Sequence, residues 1–151
     1  MIKVICVGKV KESFYRDAII EFQKRLSKYT KLEIIEVSDV TGQNLDENMR
    51  KEAQAIEKYI GQKDYVITLE IDGKQMTSPE LATKIDQIFQ TNSTITFIIG
   101  GSYGLDTSIK NRSHFALSFS KMTFPHQLFR VILLEQIYRA FKIMNHESYH
   151  K

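Results

Sequence analysis

The sequence predicts an α/β fold in which a mostly parallel, five-to-six-stranded sheet is covered by helices on both faces. Two observations carry that expectation. Short apolar, β-branched runs alternate five times along the chain with segments of helical periodicity, the order from which parallel sheets with crossover helices are built. The 151 residues, 42% hydrophobic and 26% charged, amount to one domain's worth of soluble chain, so residues 1–151 are expected to share one core.

Taken in order, Ile2–Gly8 is β-branched and apolar, a short buried strand. Glu12–Thr30 places Phe14, Ala18, Phe22 and Leu26 at helical spacing, with charged residues between them. Leu32–Val37 alternates as a strand, and Asn44–Ile60 returns to helix with Met49, Ala53, Ile56 and Ile60 on one side. Asp64–Ile71 reads as the third strand, closed by the turn signal Asp72-Gly73. Thr77-Ser-Pro-Glu80 opens the next helix, because Thr77 can cap it, Pro79 suits an early helical position and Glu80 faces the positive helix end. That helix runs to about Phe89. Thr94–Ile99 is the fourth strand, ended by Gly100-Gly101, and a short helix near Asp106–Arg112 leads to the fifth, His114–Ser118.

Pro125 to Met144 forms a last long helix whose apolar residues surround nearly its whole circumference. Such a helix must be buried on more than one side. In so small a protein the second side is expected to meet the same helix of another copy across a two-fold axis, giving a homodimer. A central helix in a monomer is the alternative.

Several classes of function drop out. No apolar run approaches the roughly 20 residues that cross a bilayer, and the opening apolar stretch is too short for a signal peptide. A cytoplasmic protein with no membrane partner is therefore expected. Cys6 is the only cysteine, which excludes an intrachain disulfide and a thiolate cluster; in a core strand it reads as a small hydrophobe. His146 and His150 lie four apart but lack the acidic ligand of an HExxH frame, so no metal site is expected. Gly8-Lys9 lacks the rest of a P-loop, and Gly100-Gly-Ser-Tyr-Gly104 does not match the dinucleotide fingerprint.

Charge is unevenly placed. Residues 1–106 carry 14 Lys and Arg against 16 Asp and Glu, whereas residues 107–151 carry seven against two, together with all four histidines. A basic, histidine-bearing end suggests an anionic partner met at one face; a solvated lysine-rich surface is the alternative. In open parallel sheets ligands collect at the carboxyl ends of strands, so the informative loops are those after Ile71, Ile99 and Ser118.

Those loops carry a resemblance. The strand end Ile99-Gly-Gly, the loop Leu117-Ser-Phe-Ser-Lys-Met-Thr-Phe-Pro-His126, the helix Leu134-Glu-Gln-Ile-Tyr-Arg-Ala140 and the terminal Tyr149-His-Lys151 closely resemble the bacterial ribosomal RNA large subunit methyltransferase H family. The likeness extends to Val4-Ile-Cys-Val-Gly-Lys9 and Thr68-Leu-Glu-Ile-Asp-Gly-Lys74, and so covers essentially the whole chain. It implies a SPOUT fold with a C-terminal trefoil knot, a homodimer, and S-adenosylmethionine-dependent methylation of N3 of a pseudouridine in helix 69 of 23S rRNA, on the assembled ribosome. Topology rules argue against knots, so the knot rests on the resemblance alone.

The same resemblance implies cofactor contacts from Leu69 at the third strand end, Gly100 at the fourth, and Phe119, Ser120, Lys121, Met122, Thr123 and Phe124 in the next loop, with Gly101 and Gly104 as neighbours. Glycines would let adenosine approach the backbone, while Leu69, Phe119 and Met122 would wall the adenine. His126 and His150 are candidate proton acceptors, Arg139 or Lys151 would stabilise developing oxyanions, and Tyr149 would stack on or hydrogen-bond the base. Structural roles stand beside these: His126 can orient the last helix, and Arg139 can pair with Glu135 one turn away. Proton loss to solvent, with no dedicated base, is a further alternative.

One departure concerns the tail, where this chain reads Asn145-His-Glu-Ser-Tyr-His150 and lacks the glycine or proline of the family's approach to Tyr-His. Two other functions fit the same fold. A non-catalytic ribosome-binding factor would need no cofactor pocket, which Gly100-Gly101 and the Phe119–Phe124 loop disfavour. A tRNA methyltransferase is disfavoured by a full-length match without an additional RNA-binding domain.

Overall fold

Ten segments form in the expected order in the computed structural model, which describes residues 1–151. They are β1 (Ile2–Val7), α1 (Ser13–Leu26), β2 (Leu32–Val37), α2 (Leu45–Glu57), β3 (Tyr65–Gln75), α3 (Ser78–Phe89), β4 (Ile95–Ile99), α4 (Thr107–Arg112), β5 (Phe115–Ser118) and α5 (His126–Met144). The strands make one sheet of order β2-β1-β4-β3-β5, and every pairing is parallel. The sheet is thus wholly parallel with five strands, because each strand is followed by a helix that returns the chain to the same edge.

Side-chain alternation divides the core in two. Ile2, Val4, Cys6, Phe97 and Ile99 point to the face covered by α1, α5 and α3, whereas Ile5, Val7, Val37, Val66 and Ile98 point to the face covered by α2 and α4. Central β4 is buried throughout, which is why it reads as an unbroken apolar run. Burial raises the Cys6 thiol to about 12, so it stays a neutral, inert core group.

The third strand departs from expectation. Asp72-Gly73 does not end it; β3 runs on to Gln75. Leu69 and Lys74 both pair with Leu117 of β5, so residues 70–73 swing out of the ladder as an enlarged bulge. Gly73 permits the return, since a β-carbon there would meet the Ala116 carbonyl carbon at 2.8 Å. Leu69 is therefore the last paired residue before a bulge rather than a strand end. Smaller corrections concern boundaries. Asn44 caps α2 through Glu47 N–H instead of lying inside it, and α1 stops at Leu26, whose carbonyl is taken by the turn amides of Tyr29 and Thr30. His114 stands just before β5, where its Nδ1 accepts the Val66 N–H at 2.9 Å.

The α3 start forms as read: Thr77 Oγ1 accepts the Glu80 N–H and the Glu80 carboxylate accepts the Thr77 N–H, a capping box. Helix α5 lies between α1 and α3, with Leu133, Leu134, Ile137 and Ala140 buried against the sheet. Each fully buried leucine or isoleucine there contributes about 1.5–3 kcal/mol. Its outward residues Leu128, Val131 and Ile132 remain half-buried.

At the carboxyl end of α5, Glu147 N–H bonds Lys142 O and His146 N–H bonds Ile143 O, the two bonds of a Schellman cap. The left-handed position is held by His146 at φ 56°. A histidine does here what glycine ordinarily does, which explains how the chain turns without the expected glycine.

At the opposite, amino edge of the sheet, the buried Asp64 carboxylate accepts bonds from Lys3 Nζ (3.0 Å), Gly61 N–H (2.8 Å) and Thr96 Oγ1 (2.8 Å). Burial disfavours the charge, but these three donors outweigh it and hold the pKa below the ordinary aspartate value.

Two outcomes follow. His146→Gly is expected to raise stability by up to about 1 kcal/mol, read by denaturant unfolding, because the left-handed cost disappears. Asp64→Asn is expected to cost about 2 kcal/mol at neutral pH. A carboxylate with a depressed folded pKa stabilises above its unfolded value of about 3.9, so the gap between wild type and variant should close as pH falls below that point, checked by thermal melts from pH 7 to 2.

Candidate functional site

The loops after β3, β4 and β5 meet at the carboxyl edge of the sheet and enclose a cavity of about 450 Å³, within the roughly 300–1,000 Å³ range of small-molecule sites. Of the residues expected there, Leu69, Gly100, Gly101, Gly104, Phe119, Ser120, Met122, Thr123 and Phe124 line it, and so does His126. Lys121, from the same loop, is exposed and stays outside the lining.

The glycines also have a structural role. A β-carbon on Gly100 would come within 2.7 Å of the Gly104 backbone, and one on Gly101 within 3.2 Å of Val7 Cγ1 and 3.4 Å of Glu52 Oε1. Their missing side chains let the loop close on itself and on the sheet, sealed by Gly104 N–H to Gly101 O at 3.0 Å. Gly104 supplies the positive φ, 87°. Beneath this loop the buried Glu52 carboxyl accepts the Val40 N–H at 3.0 Å. Burial raises its pKa against that bond, and neighbouring Asp39 adds to the rise.

The opposite wall is aromatic. Phe129 of α5 lies 5.1 Å from Phe119 and stacks on Phe124 at 6.2 Å between centroids. The Phe119–Phe124 loop fixes itself through Ser118 Oγ to Ser120 O (3.1 Å) and Met122 N–H to Ser120 Oγ (3.0 Å). The bulge adds Glu70 and Asp72 to the rim, and Lys110 of α4 approaches Glu70 at 3.9 Å. Sequence reasoning did not single out these three, since it ended the third strand at Ile71 and read Asp72-Gly73 as the turn that closes it. Apolar plates with an acidic rim suit a ligand that has a flat base at one end and a cation at the other.

The remaining expected residues gather elsewhere. Arg139 donates to Glu135 from Nε at 2.8 Å, its guanidinium lies 4.7 Å from the Tyr149 ring centroid, and it reaches His150 Nδ1 at 3.2 Å. The Glu135 bond, more than any other group, holds the Arg139 pKa above its ordinary value. Arginine only donates, so Nδ1 of His150 accepts and its ring proton sits on Nε2. Tyr149 also meets Tyr138 edge-on at 5.0 Å, and Glu147 ties the tail to Tyr29 and Lys142. Lys151 is exposed beyond them. Thirteen helical steps, about 20 Å, separate Arg139 from His126, so within one chain this cluster and the cavity occupy opposite ends of α5. No three His, Cys, Asp or Glu side chains are grouped as metal ligands, and no helix is long and apolar enough to cross a membrane.

Known proteins with this sequence pattern are numerous. Ribosomal RNA large subunit methyltransferase H of Finegoldia magna is 54% identical, and that of Clostridium botulinum 53%, each match covering 99% of both chains. In structure, a methylase family protein from Haemophilus influenzae Rd KW20 superposes with a TM-score of 0.57 over 99% of this chain and 70% of that one, at 14% identity, a likeness of fold. The family described as "Predicted SPOUT methyltransferase" matches residues 1–150. With the parallel sheet and the strand-end cavity, these matches establish that the chain belongs to the SPOUT methyltransferase family.

Proposed function

We propose that this protein uses S-adenosylmethionine to methylate N3 of a pseudouridine in helix 69 of 23S rRNA, on the assembled ribosome in the cytoplasm, as a homodimer. The observation that carries this reading is the cavity: segments far apart in sequence bring nine of the ten expected cofactor residues and one histidine to a single strand-end site. The names of the relatives at 53–54% identity point to the same class of substrate.

When bound, the cofactor supplies an electrophilic methyl group on a sulfonium. The chain's own residues do the rest. Leu69, Phe119, Phe124 and Phe129 would grip the adenine by apolar contact, while Glu70 and Asp72 would offset its positive charge. Methylation at an imide nitrogen requires loss of the N3 proton, and the developing charge spreads to the flanking carbonyl oxygens. We assign that proton to His126, the histidine in the cavity lining. Arg139, Tyr149 and Lys151 would steady the charged base, and His150, with its Nδ1 engaged, would donate through Nε2.

This division of labour needs two chains. The tail cluster lies about 20 Å along α5 from the cavity of its own protomer. An antiparallel pairing of α5 helices through Leu128, Val131 and Ile132, across a two-fold axis, would carry a partner's tail to this cavity.

Labelled methyl transfer to ribosomes lacking the modification, with mass-spectrometric location of the product, should place the label on N3 of the helix 69 pseudouridine; label elsewhere, or none beside an active control enzyme, refutes the reading. His126→Ala should lower kcat by about 100-fold while leaving cofactor binding unchanged, read by single-turnover transfer and calorimetry. Mixing Leu69→Trp with His150→Ala chains should restore transfer that neither variant shows alone; a mixture as inactive as its parts would mean that tail and cavity act within one protomer.

A further inference from the structure

The loop between β1 and α1, residues 8–12, belongs to no part of the cavity lining, yet it is the most heavily braced loop of the molecule. Arg130, 3% exposed, donates to Val7 O at 2.9 Å and Gly8 O at 2.7 Å. Glu36 Oε2 takes the Val10 N–H at 3.2 Å and also the Arg130 guanidinium at 2.6 Å. Gln127 Oε1 accepts from Lys11 N–H at 2.9 Å and Glu12 N–H at 3.3 Å. Arg16 closes the other side by donating to Val10 O at 3.3 Å and Lys11 O at 2.8 Å. Four side chains from α1, β2 and α5 thus fix a five-residue backbone stretch.

Such bracing leaves two side chains with nothing to hold. Lys9 and Lys11 are exposed, and neither ammonium has a carboxylate within ion-pair distance. Their position is set by the sheet. Strands β1 and β4 are parallel neighbours, so the loop after Val7 stands beside the loop after Ile99, about one strand spacing from the cavity floor. Its brace Gln127 follows His126 directly, and His126 lines the cavity. Two lysines on a fixed backbone therefore stand beside the loop that floors the cavity. The basic excess evident in the sequence lay in residues 107–151; the fold adds these two lysines from the amino-terminal end, at the edge of the sheet where the cavity opens.

We propose that the loop carrying Lys9 and Lys11 is a rigid phosphate-contacting edge of the RNA-binding surface, engaging two backbone phosphates beside the flipped nucleotide. Phosphate contacts set register without reading sequence, and a base can be presented to a buried methyl donor only when the strand on either side is held. A braced backbone suits this task, since a cation on a mobile loop loses ordering entropy on contact. The inference rests on the proposed RNA methylation and adds a substrate-side surface to it.

The test compares wild type with Lys9→Ala/Lys11→Ala and with Lys58→Ala/Lys63→Ala, which removes the same charge at the opposite edge of the sheet. Binding to large ribosomal subunits is measured by sedimentation across a salt series, alongside cofactor binding by calorimetry and labelled methyl transfer. The loop variant should bind about ten-fold more weakly at low salt, with a slope of log affinity against log salt shallower by about 1.4 to 1.8. Its cofactor affinity and melting temperature should match wild type, and the distal variant should match wild type throughout. An unchanged affinity and slope in the loop variant, or an equal loss in the distal one, overturns the proposal. Failure of wild type to transfer methyl would instead overturn the reaction, while the binding comparison still decides the loop.

Discussion

One buried guanidinium holds the two ends of this chain together. Arg130 lies in the middle of the apolar surface of α5, and its bonds to Val7 O, Gly8 O and Glu36 fasten the last helix to the carboxyl end of the first strand. Taking a charge out of water costs several kcal/mol, and Arg130 Nε is left without a partner. The arrangement is stable only with all three acceptors in place, so the start of α5, the loop after β1 and the edge of β2 have a fixed mutual geometry. His126, Gln127 and Phe129 all project from the helical turn that this contact positions. Because the partners are more than 90 residues apart in sequence, the site is complete only when the sheet is. Parallel pairings of such separation also form slowly.

Helix α5 then acts as a spacer between two chemistries. Its amino end meets an aromatic, acid-rimmed cavity, and its carboxyl end bears a cationic, hydrogen-bonded cluster in which Glu135, Arg139, Tyr149 and His150 restrain one another. The tail would wander without that restraint, but the Schellman cap at His146 and the bonds from Glu147 to Tyr29 and Lys142 fold it back onto the turn after α1. The cluster is ordered before any substrate arrives, as a site that stabilises developing charge requires.

Most of the architecture was legible in the sequence because its signals are local. The β-branched run Ile95–Ile99, the Thr77/Glu80 capping box and the periodicity of α2 each specify an element within a dozen residues. What escaped was set at long range. Asp72-Gly73 reads as a turn on any local rule, yet pairing of Lys74 with Leu117 pulls the chain back into the sheet, and no neighbouring residue announces that. The roles of Gly100 and Gly101 were hidden for the same reason, since the atoms they must avoid belong to Gly104, Val7 and Glu52. Arg130 offered a usable signal, a charge within an apolar helix, though not the identity of its acceptors. The cofactor residues came from likeness to a family, and only the cavity gives their proximity a physical basis.

The bulge in β3 has a wider meaning for how such a site can change. Leu117 is paired by Leu69 before the excursion and by Lys74 after it, so β5 runs on without a gap while the register of β3 shifts across residues 70–73. That segment, carrying Glu70, Ile71 and Asp72 into the cavity wall, makes no ladder pair of its own; Thr68 Oγ1 ties Glu70 at 2.6 Å and Gly73 lies against the Ala116 backbone. The side chains of Ile71 and Asp72 can change while the register of the fold stays put. Ligand preference at this wall is thereby uncoupled from folding, and relatives can diverge in what they admit without relearning how to fold.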